Sequence, residues 1–138
     1  KEEHKIDKNI INSINLDLKR LNEITDRFYK IGSKPKMSEI DLLDLSNKIS
    51  NYIKNRIPKK LNIKIIVIGD HSFVMGAETL LGWAIENLLK NSIDACKNNK
   101  GLIEINLSNE KKYVNLDVKD KNIGKKPIGL IRLNKVVF

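Results

Sequence analysis

The segment Leu81–Cys96, LGWAIENLLKNSIDAC, is the feature that most constrains how this chain folds. Its apolar side chains fall on one broad face at about 100° per residue, which predicts an amphipathic helix packed on a core. These side chains are Leu81, Ile85, Leu88, Leu89, Ala95 and Cys96. Asn87, Asn91 and Asp94 fall on a narrow stripe at the border of that face. Asparagine is a mediocre helix former because its amide competes for backbone hydrogen bonds. The stripe therefore indicates either a polar edge without a role or a site for a hard cation or polar ligand.

Size and composition are those of a globular chain. The 138 residues are 41% hydrophobic and 31% charged, which leaves room for one ordinary domain and one extra element. No apolar run approaches membrane-spanning length, and the sequence does not open with a signal-peptide pattern. A membrane span elsewhere in a longer parent protein stays open.

The net charge of +9 raises the question of nucleic-acid binding. The positive charge is mostly lysine, it is spread along the whole chain, and only 5% of the residues are aromatic. The chain therefore offers neither a stacking platform nor a basic helix dense enough to follow phosphates. We expect no direct binding to nucleic acid.

The chain holds one cysteine, Cys96, and two histidines, His4 and His71. A single cysteine excludes an internal disulfide and a cysteine-based zinc site. Cys96 lies on the apolar face of the predicted helix, where we expect it to act as a buried small hydrophobic side chain. The histidines are far apart in sequence and indicate neither a metal pair nor a catalytic triad.

A long helix is predicted over residues 1–31. Its heptad-like apolar stripe consists of Ile10, Ile14, Leu21, Ile24, Phe28 and Ile31. Such a stripe is typical of a coiled coil or helical bundle and needs a partner, either another helix of the same protein or a second copy. Gly32 and Pro35 stop the helix. Residues 32–37 form the best domain boundary, which divides the chain into 1–34 and 35–138.

The next segment combines a helix with strand signals. Ser38 and Asp41 resemble a capping box, and a second helix is predicted to follow and to end at Pro58. Its apolar residues are Leu42, Leu45, Ile49, Tyr52 and Ile53. Residues 61–68 predict a strand, with a turn at Gly69 and a short partner strand over 71–75. Gly76 is expected to begin the central helix, and Lys97, Asn98, Asn99 and Gly101 to close it.

Two alternating runs follow and predict an antiparallel hairpin with one face inward. The inward residues are Ile103, Ile105, Leu107, Val114, Leu116 and Val118. The same parity places Asp120 on the buried side at the strand end. A buried carboxylate costs several kcal/mol without hydrogen-bond donors, so Asp120 needs a partner from the protein or a ligand, unless it swings out to solvent. Gly124 and Gly129 interrupt the last stretch, and Val136–Phe138 is expected to open a strand.

This order of elements resembles the nucleotide-binding domain shared by sensor histidine kinases, gyrases, ninety-kilodalton heat-shock chaperones and mismatch-repair ATPases. The match is closest to bacterial sensor histidine kinases. WAIENLLKNSIDA looks like their N box, and VNLDVKDKNIG looks like the strand into their first glycine box. RLNEITDRFYKIGSKPK resembles the second helix of their dimerisation and phosphotransfer hairpin.

The resemblance implies an α+β fold, a two-layer α/β sandwich with a mixed, mainly antiparallel sheet covered by helices and preceded by a coiled-coil-type helix. Residues 1–34 would be the second bundle helix, and 35–138 the ATP-binding catalytic domain. The parent protein would be a homodimer through the N-terminal helix. It would lie in the cytoplasm or form the cytoplasmic part of a membrane sensor, with membrane contact only through parts outside this sequence.

The resemblance also implies residue roles for ATP and Mg²⁺. Asn91 would be the metal ligand that bridges Mg²⁺ to the ATP phosphates, and Asn87 would support it from one turn earlier. Asp120 would accept a hydrogen bond from the adenine amino group. Gly124 would let the backbone approach the nucleotide. Lys90, beside Asn91, is a further candidate for contact with the nucleotide.

One position separates kinases from ATPases within the resemblance. Hydrolysing members carry a glutamate general base four residues before the metal asparagine, where this chain has Asn87. Glu86 is turned about 100° away from the asparagine stripe, and we expect it to form a surface ion pair with Lys90. The site therefore fits phosphoryl transfer to a protein side chain better than hydrolysis.

The chain departs from the pattern in three ways. Asn122 stands where the first glycine of the glycine box is usual, between Lys121 and Lys125. Gly129 follows so soon that we expect residues 121–138 to be discontinuous in the natural protein, with the lid and second glycine box missing. His4 lacks the following Glu and Asn-Pro, so we expect the phospho-acceptor helix to be absent.

Two functions follow from the resemblance. The first is the ATP-binding kinase domain of a two-component sensor, which autophosphorylates a histidine and passes the phosphate to a response regulator. A fragment of such an enzyme need not be active alone. The second is a catalytically inactive relative that acts in dimerisation or as a scaffold.

Overall fold

The computed structural model describes residues 11, 12, 14, 15, 18, 19, 21–27, 36–96, 98, 100–121 and 129–136. The chain divides into two units, Lys1–Pro35 and Lys36–Phe138. All described residues between 11 and 27 are helical, as the heptad pattern predicts, and we call this helix α1. The rest of the predicted helix and its stop signals at Gly32 and Pro35 lie outside the described residues. No helix in the described part is long and apolar enough to cross a membrane.

The apolar stripe of α1 is not buried within the chain. Its described residues Ile14, Leu21 and Ile24 are each more than half exposed, as are Ile11 and Leu18 on the same helix. Burying such side chains stabilises a protein by about 1.5–3 kcal/mol each. Packing of α1 against a partner helix would therefore be favourable. Of the predicted heptad residues, Ile10, Phe28 and Ile31 lie outside the described part.

The second unit contains six strands and two helices in its described residues. Along the chain they are β1 Ser38–Asp41, α2 Leu42–Lys54, β2 Asn62–Ile68, β3 Phe73–Gly76, α3 Glu78–Asp94, β4 Lys100–Asn109, β5 Tyr113–Asp120 and β6 Gly129–Asn134. The main sheet has the order β2-β4-β5-β6, with β2 parallel to β4 and the other pairs antiparallel. Helices α2 and α3 pack on it. The predicted α+β fold with a mixed, mainly antiparallel sheet is therefore confirmed.

The core lies between the helices and the inward side of β4 and β5. The predicted inward side of these strands is confirmed, because the inward residues from Ile103 to Val118 are all buried, although Glu104 on the other side is buried as well. Leu42, Leu45 and Ile53 of α2 join them. Tyr52, in contrast, is largely exposed, and α2 ends at Lys54, before the predicted stop at Pro58.

The start of α2 differs from the prediction. Ser38 and Asp41 are not a capping box but the two ends of strand β1. Asp41 itself is the N-cap, because its Oδ1 accepts hydrogen bonds from the backbone N–H groups of Leu43 at 3.0 Å and Ser72 at 3.1 Å. One carboxylate thus satisfies donors on both α2 and the chain before β3.

The partner of β3 also differs from the prediction. Strand β3 pairs antiparallel with β1, with Ile40 opposite Val74, and not with β2. Gly69, directly after β2, has a φ of +142° and lies so close to β4 that a Cβ there would lie 2.6 Å from the Leu107 Cβ. The segment before β3 is held at the start of α2, where the Leu42 N–H donates to the Ser72 carbonyl oxygen at 2.8 Å, and β3 therefore lies beside β1.

Both ends of α3 are shifted from their predicted positions. Gly76 ends β3, and the helix begins after Ala77, whose backbone is extended. At the other end α3 stops at Asp94, and Asn98 has a φ of +57°, a left-handed conformation that asparagine tolerates. Gly101 is not a helix cap but a buried residue of β4.

The last described strand lies earlier than predicted. β6 begins at Gly129, which was expected to interrupt the chain, and pairs with β5 up to Asn134 opposite Tyr113. Gly129 permits this because a Cβ there would lie 2.1 Å from Leu88 Cδ2. Residues 122–128, with Asn122, Gly124 and Lys125, lie outside the described part, so the predicted discontinuity stays a prediction.

Candidate functional site

Helix α3 presents its asparagines to solvent. Asn87 and Asn91 are one turn apart and both are exposed, as is Asp94. The buried side of the helix is formed by Gly82, Ile85, Glu86, Leu89 and Ser92. The three polar residues therefore share one side of the helix, as predicted. This side is exposed to solvent, whereas the apolar pattern predicted that it would border the core. Each of the two exposed asparagines carries a neutral amide with an acceptor oxygen and two N–H donors.

Glu86 is not the surface residue that was predicted. Its ion pair with Lys90 is present, with Nζ 2.9 Å from Oε1, but Glu86 itself is buried and only 6% exposed. Gly82, which is also buried, lies one turn earlier on the same side of α3 and faces Ile49 of α2. The covered face of α3 is therefore wider than its apolar residues indicate. The ammonium of Lys90, a candidate for nucleotide contact, is held by this carboxylate.

Asp120 ends β5 on the inward side, where strand parity placed it. It is only 2% exposed. Its Oδ2 accepts a hydrogen bond from the Cys96 thiol, with Sγ at 3.5 Å. The prediction that this carboxylate needs a partner is met in part by Cys96, which joins the end of α3 to the end of β5.

Cys96 was predicted to be a buried small hydrophobic side chain, but it is only partly buried and its thiol is hydrogen-bonded. Burial, and after it the negative charge and hydrogen bonding of Asp120, raise the pKa of the Cys96 thiol to about 11. At neutral pH the sulfur therefore keeps its proton and acts as a donor. A second acceptor, the Ser92 carbonyl oxygen, lies 3.3 Å from the same sulfur.

Of the predicted site residues, Asn87, Lys90 and Asn91 lie on α3, and Asp120 ends β5. Asn91 lies at the last turn of α3, where its carbonyl oxygen accepts from the Ala95 N–H at 3.1 Å, and the next residue, Cys96, contacts Asp120. Gly124 lies outside the described residues. The donor set fits a nucleotide with its metal, because neutral amide oxygens suit Mg²⁺ and a buried carboxylate is an acceptor for an exocyclic amino group.

One cluster of chemically active side chains was not predicted. His71 lies with Asp41 and Asp44, so that one ligand-type atom from each falls within 4.8 Å of the others. The His71 Nδ1 is hydrogen-bonded to Asp41 Oδ2 and lies 3.9 Å from Asp44 Oδ1. The only sequence signal for it is an aspartate directly before the apolar run of α2, since the approach of His71 depends on the pairing of β1 with β3.

The contact between His71 and Asp41 shifts the pKa of both residues. The hydrogen bond to Asp41, and after it the negative charge of Asp41, raise the pKa of His71. Burial acts to raise the pKa of Asp41, but the hydrogen bonds from His71, Ser72 and Leu43 together outweigh it and hold that pKa below its usual value. Between the two pKa values Asp41 is negatively charged and His71 is positively charged, so they form an ion pair. The negative charge of Asp41 lies at the N-terminus of α2, where it is stabilising.

Solved structures with the same fold include histidine kinases. The nucleotide-free catalytic domain of histidine kinase ThkA matches with a TM-score of 0.53 and 24% identity, over 60% of this chain and 57% of the ThkA domain. Histidine kinase AdeS from Acinetobacter baumannii matches with a TM-score of 0.66 and 11% identity, over 80% of this chain and 58% of AdeS. ThkA solved in complex with the response regulator TrrA matches with a TM-score of 0.59 and 24% identity, over 78% of this chain and 33% of ThkA.

These similarities establish the fold. No protein-family model matches the chain, and a search of curated proteins finds no match. The chain spans a little more than half the length of the ThkA catalytic domain. Its fold is that of the ATP-binding catalytic domains of sensor histidine kinases, as the N-box resemblance predicts.

Proposed function

We propose that this chain binds Mg²⁺ and ATP as the catalytic domain of a two-component sensor histidine kinase. The observation that carries the proposal is the buried Asp120 at the end of β5, joined through Cys96 to the end of a helix with Asn87 and Asn91 on its exposed side. In a fold shared with histidine kinase catalytic domains, these are an acceptor for adenine and amide ligands for a metal-bound phosphate chain.

Different residues would contact the metal ion and the adenine base. Asn91 would hold Mg²⁺ through its amide oxygen, with Asn87 beside it, and Asp120 would orient the base. Bound Mg²⁺ supplies neutralisation of the charge on the phosphates. Lys90 is a weaker candidate, because its ammonium is already paired with Glu86. Gly124 keeps its proposed role of close backbone approach to the nucleotide.

Phosphoryl transfer to histidine is favoured over hydrolysis of ATP. A hydrolytic base would need to reach a water molecule on the asparagine side of α3, and the position four residues before Asn91 holds Asn87. The nearby Glu86 is buried and paired with Lys90. Positioning and charge neutralisation then dominate the chemistry, as they do in phosphoryl transfer generally.

The proposal extends to partners and location. The exposed apolar stripe of α1 supports a homodimer formed through this helix. ThkA is known in complex with the response regulator TrrA, and we extend the same class of partner to this chain. The place of action would be the cytoplasm, and direct binding to nucleic acid forms no part of the function.

The second candidate function is a catalytically inactive dimerisation or scaffold module. It is favoured by Asn122 at the position of the first glycine in the resembling motif, with Lys121 directly before it and Lys125 three residues after it. The two functions differ in whether the chain binds nucleotide.

The test is a titration of the full chain with a non-hydrolysable ATP analogue, with and without Mg²⁺, by calorimetry. We expect Mg²⁺-dependent binding, weakened by Asp120→Asn and made insensitive to Mg²⁺ by Asn91→Ala. Matched controls are Asp117→Asn, on the outward side of the same strand, and Asn47→Ala, exposed on α2. Absence of binding at millimolar nucleotide would favour the scaffold.

A further inference from the structure

A contact between Cys96, Asp120 and Gly101 joins α3, β5 and β4 at one point. The Cys96 Sγ lies 3.5 Å from Asp120 Oδ2. A Cβ built on Gly101 would lie 2.4 Å from that sulfur and 3.4 Å from the same Oδ2. The absence of a side chain at Gly101 therefore makes the space in which the thiol meets the carboxylate.

We propose that Cys96 is a positioning residue for adenine recognition, which holds the Asp120 carboxylate in the orientation that accepts the exocyclic amino group. The inference rests on the proposed function and extends it to base selectivity. A donor fixed on Oδ2 restricts rotation of the carboxylate about its Cβ–Cγ bond. Cys96 and the space beside Gly101 thereby constrain the direction in which Oδ1 points.

The protonation state of the sulfur supports this role. With the pKa of Cys96 raised to about 11, the group is a neutral thiol near pH 7. A thiol donates to a carboxylate, whereas a thiolate at this distance would repel it. Hydrogen bonds to a charged acceptor are also the stronger ones.

The thiol has two possible acceptors for its one proton. The Ser92 carbonyl oxygen lies 3.3 Å from Sγ, slightly closer than Asp120 Oδ2. That carbonyl belongs to the last turn of α3, whereas the Asp120 oxygen carries negative charge in a buried setting. The negative charge favours Asp120 as the acceptor. The proposal therefore predicts that removal of this charge weakens the hydrogen bond from the Cys96 thiol.

The first experiment measures base selectivity. Dissociation constants for non-hydrolysable ATP and inosine triphosphate analogues are compared in the wild type, Cys96→Ala and Cys96→Ser. Inosine carries an oxygen in place of the adenine amino group, so a well-oriented carboxylate rejects it. We expect Cys96→Ala to weaken ATP-analogue binding by about 2- to 12-fold, which corresponds to one hydrogen bond, and to reduce the preference for adenine over inosine. Cys96→Ser, which keeps a donor, should restore most of both.

The control is Ser92→Ala, which removes one atom from the same end of α3. Its hydroxyl donates to the Leu88 carbonyl oxygen and not to Asp120, so the preference for adenine should be unchanged even if stability falls. A Cys96→Ala variant with wild-type affinity and wild-type preference for adenine would overturn the inference while leaving the proposed function in place. A wild-type chain that binds no adenine nucleotide would overturn both.

The second experiment observes the contact directly and needs no nucleotide. Cys96 is the only cysteine, so the S–H stretching band in the infrared spectrum reports on this one thiol. Asp120→Asn should shift the band towards that of a more weakly bonded thiol, whereas Asp117→Asn should leave it in place. An identical band in wild type and Asp120→Asn would show that the proton goes to Ser92 and would overturn the inference.

Discussion

The imidazole Nδ1 of His71 is hydrogen-bonded to the Asp41 carboxylate, across 30 residues of sequence. Asp41 uses its other oxygen, Oδ1, to cap α2 through Leu43 and to hold the Ser72 N–H. One side chain therefore fixes the start of a helix, the approach of β3 and the position of a titratable ring. We therefore expect the free energy of unfolding to depend on pH through the pair of His71 and Asp41.

The stabilisation from His71 should be lost as pH rises. The pKa of His71 is raised by Asp41 and, more weakly, by the charges of Asp44 and Asp70. Its contribution is therefore fully present below the unfolded value of about 6.5 and is lost as pH rises through the higher folded value. The pKa of Asp41 is lowered, so its contribution is present above about 3.8 and lost on acidification below that.

The measurement is urea unfolding of wild type and His71→Asn at about pH 5.5 and about pH 8.5, on either side of the histidine transition. The variant should be less stable than the wild type at the lower pH, and the two should converge at the higher pH. Other titrating groups are common to both proteins and cancel in the difference. An equal difference at the two pH values would rule out the charged pair.

Removal of the Asp41 carboxylate should cost more than removal of any other acid near the N-terminus of α2. Asp41→Ala leaves the Leu43 and Ser72 N–H groups without their acceptor, and loss of an N-cap costs about 0.5–2 kcal/mol. Asp44→Ala is the matched control, because Asp44 is exposed in the first turn and contributes mainly through the helix dipole, worth about 0.3–1 kcal/mol. Urea unfolding at neutral pH gives both values. The prediction is wrong if Asp44→Ala proves the more damaging substitution.

A lysine in the apolar stripe of α1 should prevent self-association. Leu21 and Ile24 are each more than half exposed in the single chain, and a charge placed in a helix–helix seam would have to be buried there. We expect wild type to sediment as a dimer and Leu21→Lys as a monomer at the same concentration. Glu23→Lys adds the same side chain at another exposed position of α1 and should leave the dimer intact. Identical sedimentation of wild type and Leu21→Lys would argue against the α1 interface.

The parts of this fold that sequence predicts are those with local patterns. The period-2 alternation of β4 and β5 is read within each strand, so it predicted the inward side correctly as far as Asp120. The failures involve residues brought together from a distance. The β1–β3 pair joins segments more than thirty residues apart, and the burial of Glu86 arises from tertiary packing that the pattern of α3 alone does not describe.

In the candidate site, too, local spacing was predicted from the sequence and contacts between distant residues were not. The spacing of Asn87 and Asn91 on one side of α3 follows from helix geometry alone, and their alignment is present in the structure. Their exposure was not predicted, because apolar periodicity describes the average direction of burial and not which neighbouring element covers the helix. The Cys96–Asp120 contact links residues 24 apart and had no sequence signal beyond the need of a buried carboxylate for a donor.

Gly101→Ala should destabilise the chain through Cys96. The added Cβ would lie 2.4 Å from the Cys96 Sγ, and overpacking of this kind costs about 1–3 kcal/mol. Cys96→Ala removes the sulfur and makes room, so the double variant should be more stable than the sum of the two single effects predicts, with a coupling of about 0.5–3 kcal/mol. Urea unfolding of the four proteins gives the coupling directly.

Gly82→Ala serves as the control for that cycle. A Cβ at Gly82 meets only Ile49 and Leu45 side chains, at 3.4 Å or more, and alanine favours a helix over glycine by up to about 1 kcal/mol. This substitution should therefore be neutral or stabilising, and it should be additive with Cys96→Ala. If Gly101→Ala and Cys96→Ala are additive as well, the sulfur does not occupy the space beside Gly101, and the orientation of Asp120 would have to be set by other contacts.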